Sequence, residues 1–272
     1  MTTARAFVLT GCASGIGRHL TGALAGQGQQ VLATDIDEPG LAEQARRCAW
    51  PKTHVWLRRL DVRDPEAWQA VIDEAAERMG AVDVLVNLAG YLQPGWSHEM
   101  GRQEVDRHID VNTKGVIFGT QAAARHMLAR QKGHIINMAS LAALVPVPGL
   151  ALYSASKFAV RAFSLAVAQE LRPHGIYVTV ICPDAVQTPM LDRQRAYTEA
   201  ALTFSAPHFL TVEEVADVII RQVLPHKPRQ VVIPRHRGWV ARAADWLPGA
   251  AAALDPLFRR WGQRRQRPLR PP

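Results

Sequence analysis

A chain of 272 residues, 48% hydrophobic and 21% charged, is long enough to bury the core of one α/β domain. Its net charge of +8 is uneven: from Arg235 onward nine arginines stand against Asp245 and Asp255, which gives +7 and leaves +1 for the body, so nucleic acid is not an expected partner. Cys12, Cys48 and Cys182 are scattered without metal-ligand spacing, no stretch approaches the roughly 20 apolar residues of a membrane span, and the first residues lack a signal-peptide core, which together predict free thiols, no metal and a cytoplasmic protein.

In chain order, AFVLT (6–10) reads as a buried strand that runs into the glycine-rich TGCASGIG and a helix, followed by a second strand, QVLAT (30–34). A third strand, HVWLRRL (54–60), precedes a helix with Asp64 as N-cap, Pro65 at its first position and an end near Gly80. DVLVNLA (83–89), HIINMA (134–139), YVTVIC (177–182) and QVVIP (230–234) complete seven strands, with helical patterns between them and a capping box at Thr211 and Glu214 before the last. Alternation of this kind predicts βαβ units around a parallel sheet. Residues 183–207 have weak periodicity and read as a long loop or lid.

Gly11, Gly15 and Gly17 fall between the first strand and the first helix, where a tight turn lets a pyrophosphate approach the backbone and a helix N-terminus. Asp35 closes the second strand 18 residues after Gly17, placed to accept hydrogen bonds from a ribose 2′-hydroxyl and to repel a 2′-phosphate. NAD is therefore the expected cofactor. Tyr153 and Lys157 in LYSASKFAV are four residues apart, one turn along a helix face. An ammonium beside a phenol is expected to lower its pKa from about 10 and make Tyr153 a general acid/base.

TGCASGIG, LDV, NLAG, VN, Ser140 and YSASK, in that order from about Phe7 to Pro234, resemble the short-chain dehydrogenase/reductase family of compact, single-domain type. The resemblance implies a Rossmann-type doubly wound α/β sheet of seven parallel strands and hydride transfer between NAD and a carbonyl or alcohol carbon. It implies Tyr153 as proton donor or acceptor, Ser140 on the substrate oxygen, Lys157 on the nicotinamide ribose, and Asn112 positioning a relay water. The implied cofactor contacts are Gly11, Ser14, Gly15, Ile16 and Gly17 in the loop, Asp35, Asp61 and Val62 at the adenosine end, and Asn87, Ala89 and Gly90 in the floor. Pro183 and Thr188, with Tyr153 and Lys157, complete them near the nicotinamide. Two positions depart from the family: Leu88 replaces a polar residue, and Asp184 stands where a glycine is usual after Pro183.

Around these positions Leu141, Leu144, Val145, Pro146, Leu150, Tyr91, Leu92, Trp96, Met190, Leu191, Phe204 and Phe209 form an apolar set, which favours a lipid-, steroid- or terpenoid-like alcohol or ketone over a sugar. The catalytic domain is expected over 1–234 and a basic amphipathic extension over 235–272. In the extension, Trp239, Val240, Ala243, Trp246 and Leu247 form one stripe and Leu254, Leu257, Phe258 and Trp261 a second, with Pro248 and Pro256 breaking the segment. Such a tail suits peripheral attachment to an anionic membrane, or packing over the substrate site or a neighbouring subunit of a homodimer or homotetramer. A catalytically silent nucleotide sensor or scaffold on the same fold is the alternative to an enzyme.

Overall fold

The computed structural model describes residues 4–266. Seven strands, β1 (Ala6–Thr10), β2 (Gln30–Asp35), β3 (Val55–Arg59), β4 (Val84–Asn87), β5 (Gly133–Met138), β6 (Ile176–Pro183) and β7 (Gln230–Ile233), form one parallel sheet in the order β3-β2-β1-β4-β5-β6-β7. Strands covered on both faces read as unbroken apolar runs, and β1 and β5 are buried along their whole lengths. β3 lies at the edge, where its sequence turns to exposed Arg58 and Arg59.

The connecting helices are α1 (Gly15–Gly26), α2 (Glu38–Arg47), α3 (Pro65–Met79), α4 (Arg102–Arg107), α5 (Gly115–Arg130), α6 (Ala151–Leu171), α7 (Pro189–Gln194), α8 (Val212–Val218) and α9 (Leu224–His226). Asp64 caps α3 by accepting from the Glu66 and Ala67 amides, and Gly80 ends it in the left-handed conformation. The Thr211–Glu214 capping box is formed in both directions. Period-two alternation divides β1 between two cores: Phe7 and Leu9 pack with Leu20 and Leu24 of α1, whereas Val8 packs with Trp68 and Ile72 of α3. The strand order reverses between β1 and β4, which opens a crevice beyond the carboxyl ends of the strands.

Two stretches differ from the sequence reading. Within 183–207 the chain forms α7 and a 3-10 helix over Thr198–Ser205 instead of an open loop. The extension forms α10 (Arg235–Trp246) and α11 (Pro248–Gln266), and Pro256 lies inside α11 without ending it. Pro256 lacks an amide for the Ala252 carbonyl, and Ala252 is exposed, so water can serve that acceptor. α10 joins the core through buried Ala241, which clusters with Val116, Val160 and Val180. α11 lies against the 3-10 helix so closely that a Cβ on Gly262 would overlap the Ala201 carbonyl. Arg265 and Gln266 fasten its end by donating to the carbonyls of Ala206 and Gln194, at 2.5 and 2.9 Å.

Candidate active site

The crevice begins at the loop between β1 and α1. Gly11 and Gly15 have φ of +72° and +53°, and a Cβ on Gly17 would overlap the Gly11 carbonyl, so the turn requires glycine. Ser14 is the N-cap of α1, yet its hydroxyl caps nothing and the first turn holds no acidic residue. The N-terminal amides of α1 are thus left to meet an anion. Asp35 faces this loop, its carboxylate accepting from the amides of Ala13 at 2.9 Å and Asp37 at 3.0 Å. The Thr10 hydroxyl accepts from the amides of Leu88 and Ala89 at 2.9 and 3.0 Å, which fixes the floor beside the loop. Val62 and Asp61 line the same end. Arg63 donates to both oxygens of Asp61 and holds its carboxyl below the usual range.

At the other end α6 carries Tyr153 and Lys157 on one face. Lys157 is buried, its Nζ donates to the Met138 carbonyl at 2.9 Å, and it lies 5.6 Å from the centre of the Tyr153 ring. Burial pushes the phenol up to about 12, with the Ser140 hydroxyl opposing, and pushes the ammonium down to about 8. The direction at Tyr153 is therefore opposite to the one expected from its neighbour alone. Desolvation is the largest cause, and the ammonium is held by a backbone carbonyl on the ring side of the phenol. At neutral pH this phenol keeps its proton. Ser140 lies two residues beyond β5 and caps a short 3-10 turn over Leu141–Ala143, accepting from the Ala142 amide at 3.2 Å.

Asn112 sits in a π-helical turn, His108–Lys114, that interrupts the helix between α4 and α5. Its amide is committed: Oδ1 accepts from the Tyr91 amide at 2.7 Å, and Nδ2 donates to the Tyr91 carbonyl at 2.8 Å and to Ser156 Oγ at 3.0 Å. Gly90 lies between this amide and Lys157, since a Cβ there would stand 3.4 Å from Asn112 Oδ1 and 3.8 Å from Lys157 Nζ. Asn112 and Asn87 lie behind the cavity wall, Asn87 donating to Asn137 Oδ1 at 2.8 Å. Gly11, Ser14, Gly15, Ile16, Gly17, Asp35, Asp61, Val62, Ala89, Gly90, Ser140, Tyr153, Lys157, Pro183 and Thr188 all reach the wall.

The cavity they line is about 2210 Å³, well beyond the roughly 300–1,000 Å³ of a drug-sized site, which leaves room for a dinucleotide and a second molecule. Beyond Tyr153 its walls are largely apolar, with Leu92, Leu141, Val145, Leu150, Met190 and Leu191, while Asp192, Arg193 and Gln194 also reach them. Leu144, Trp96, Phe204 and Phe209 are not on the wall: Leu144 and Phe204 are core residues, Phe209 packs on Phe204, and Trp96 carries the Arg259 guanidinium 5.0 Å over its ring. The extension supplies wall residues that sequence reading missed, among them Arg237, Val240, Leu247, Leu254 and Phe258. Asp184 also gains a partner there: its carboxylate accepts from Arg237 Nε at 2.7 Å, while its amide donates to the Ile233 carbonyl at 2.8 Å. No local pattern links two residues 53 positions apart, so only the fold reveals the pair. Among the described residues no cluster of metal ligands occurs.

The model of the short chain dehydrogenase family matches residues 5–199. The chain belongs to the short-chain dehydrogenases. A 2-(R)-hydroxypropyl-CoM dehydrogenase of Xanthobacter autotrophicus is 33% identical over 224 residues, covering 79% of this chain and 90% of that one. An L-2,3-butanediol dehydrogenase of Corynebacterium glutamicum is 39% identical over 189 residues, covering 68% and 73%. A Burkholderia phymatum short-chain dehydrogenase/reductase solved in complex with NAD superposes with a TM-score of 0.80 at 25% identity, covering 89% of this chain and 93% of that one. This dehydrogenase is thus an oxidoreductase in type, with the sheet order and crevice described above.

Proposed function

We propose that this dehydrogenase is NAD(H)-dependent and interconverts a secondary alcohol and its ketone carrying lipid-, steroid- or terpenoid-like apolar groups, with Tyr153 as general acid/base. One observation carries the reading: Tyr153, Ser140 and Lys157 reach the same cavity wall, between a glycine loop with its carboxylate and an apolar chamber. The names of the two curated relatives each denote a secondary alcohol, and the solved relative holds NAD. The Gly11–Gly17 amides and Asp35 would hold the dinucleotide, which when bound supplies or takes up the hydride. A phenol near 12 is protonated at neutral pH, the state required to give a proton to the substrate oxygen in reduction. The Ser140 hydroxyl hydrogen-bonds that oxygen. The buried Lys157 ammonium steadies the phenolate left behind, with the Asn112 turn keeping the relay side of Lys157 in shape. The same reading has the protein cytoplasmic, as a homodimer or homotetramer, with its C-terminal extension in contact with membrane.

NADH absorbance followed across aliphatic ketones of rising chain length, steroids and retinoids tests the proposal. Tyr153→Phe should lower turnover by about 10² or more and leave NADH affinity within a few fold. A variant that kept more than about a tenth of the activity would remove the general-acid role. NADH binding without turnover of any ketone would instead favour a silent nucleotide-binding protein.

A further inference from the structure

We propose that the exposed face of α10 and α11 docks on an anionic lipid surface and that the substrate cavity opens at this face, so that an apolar substrate enters from the lipid. The inference rests on the apolar substrate proposed for the site. Of twelve large hydrophobic residues exposed among the described residues, eight lie between Trp239 and Trp261. Single exposed apolar residues are ordinary on a protein surface, whereas a group of this size marks a contact. Trp239, Trp246 and Trp261 are 68%, 79% and 52% exposed.

The exposure does not come from a detached tail. α11 is fastened through Gly262, Arg265 and Gln266, yet Leu254, Leu257, Phe258 and Trp261, at i, i+3, i+4 and i+7, stay exposed together along one stripe. On α10, Trp239 and Trp246 are likewise seven residues apart on one stripe. Four of the exposed side chains, Val240, Leu247, Leu254 and Phe258, also line the cavity, so the outer face and the cavity rim are continuous.

Charge selects the occupant. Arg235, Arg260 and Arg264 are exposed beside these stripes, Arg242 lies 5.5 Å from the centre of the Trp239 ring, and the segment from Arg235 carries +7. A second copy of the face would set these exposed arginines against their own kind, whereas an anionic surface complements them. Tryptophan with arginine is the composition of helices that lie in the plane of a membrane interface. Among the described residues no helix is long and apolar enough to cross a membrane, so the contact is one of surface.

The test uses the full chain with NADH, vesicles of phosphatidylcholine alone or mixed with phosphatidylglycerol, a short soluble ketone, and a long-chain ketone carried in the vesicles. The protein should float with the mixed vesicles at low salt, stay free of phosphatidylcholine alone, and be released by high salt. Trp239→Ser, Trp246→Ser and Trp261→Ser combined should lower vesicle binding and turnover of the vesicle-borne ketone by about tenfold or more. Turnover of the soluble ketone should stay within about twofold, because exposed positions away from the cavity wall tolerate substitution. Protein that stays unbound at low salt while turning over both ketones overturns the docking alone. A wild-type dimer that the triple variant converts to monomer shows that a second copy covers the face and overturns the lipid assignment. Binding to vesicles with no advantage over the triple variant on the vesicle-borne ketone overturns the entry route. Flotation without NADH oxidation on either ketone overturns the proposed function, and the entry route with it.

Discussion

Lys157 is placed where its charge costs stability, and that cost has a pH signature. Its pKa falls from the ordinary 10.5 to about 8 because burial disfavours the ammonium. At about 1.4 kcal/mol for each tenfold change, the penalty is about 3 kcal/mol. Between 8 and 10.5 the unfolded chain binds the proton and the folded one does not, so stability rises with pH across that window. Below 8 both states are protonated and the whole penalty is present. Lys157→Met removes this dependence. It also leaves the Met138 carbonyl without its donor, a cost of about 1–3 kcal/mol that does not vary with pH. Urea unfolding of both proteins at steps from about pH 7 to about pH 10.5, with no nucleotide added because a ligand of the native state contributes its own linkage, gives the difference directly. The wild type should gain about 3 kcal/mol on the variant over the window. Groups common to both proteins cancel, and in the folded protein Tyr153, at about 12, titrates above it. A difference constant to within about 0.5 kcal/mol would refute a buried ammonium at this site. Catalysis should move the other way, with the variant losing turnover and NADH affinity together.

The Asp35 carboxylate, held by the Ala13 and Asp37 amides, should make NADH bind at least about tenfold more tightly than NADPH, and a titration showing tighter NADPH would refute its role. Arg237→Ala should destabilise the fold by about 2–4 kcal/mol in urea unfolding, because it strands an Asp184 carboxylate that is 11% exposed. Asp184→Asn with Arg237→Gln should recover most of that loss, and two single variants each within about 0.5 kcal/mol of wild type would show that the pair is not coupled.

What the sequence disclosed was what depends on neighbours along the chain. Parallel strands covered on both faces announce themselves as apolar runs, and the edge position of β3 shows in its arginines. Asp64, Gly80, Thr211 and Glu214 act within one turn of their own helices, and the Gly11–Gly17 turn needs glycine for reasons internal to the loop. The π turn around Asn112 leaves a helical pattern intact in sequence, so nothing local marks the residue that shifts the hydrogen bonds. The helices within 183–207 are short and held by α11, a contact from more than 50 residues away. Spacing put Tyr153 beside Lys157, but the direction of the phenol's pKa follows from burial, which spacing does not contain.

The departure at Asp184 becomes intelligible only with the extension in place. A glycine after Pro183 asks nothing of the rest of the chain, whereas a carboxylate that is 11% exposed requires a cation, and the one it finds projects from α10. The loop beyond β6 and the C-terminal extension are thus tied by an ion pair with a largely buried acid, on the wall of the cavity that holds Tyr153. α10 also reaches the core through Ala241, and α11 packs on the 3-10 helix over Thr198–Ser205. Deleting the chain after Pro234 would therefore remove cavity wall, the packing partner of the 3-10 helix and the partner of Asp184 at once. Such a truncation confounds surface attachment with site integrity, whereas substitution of Trp239, Trp246 and Trp261 alters side chains that are more than half exposed and lie off the cavity wall.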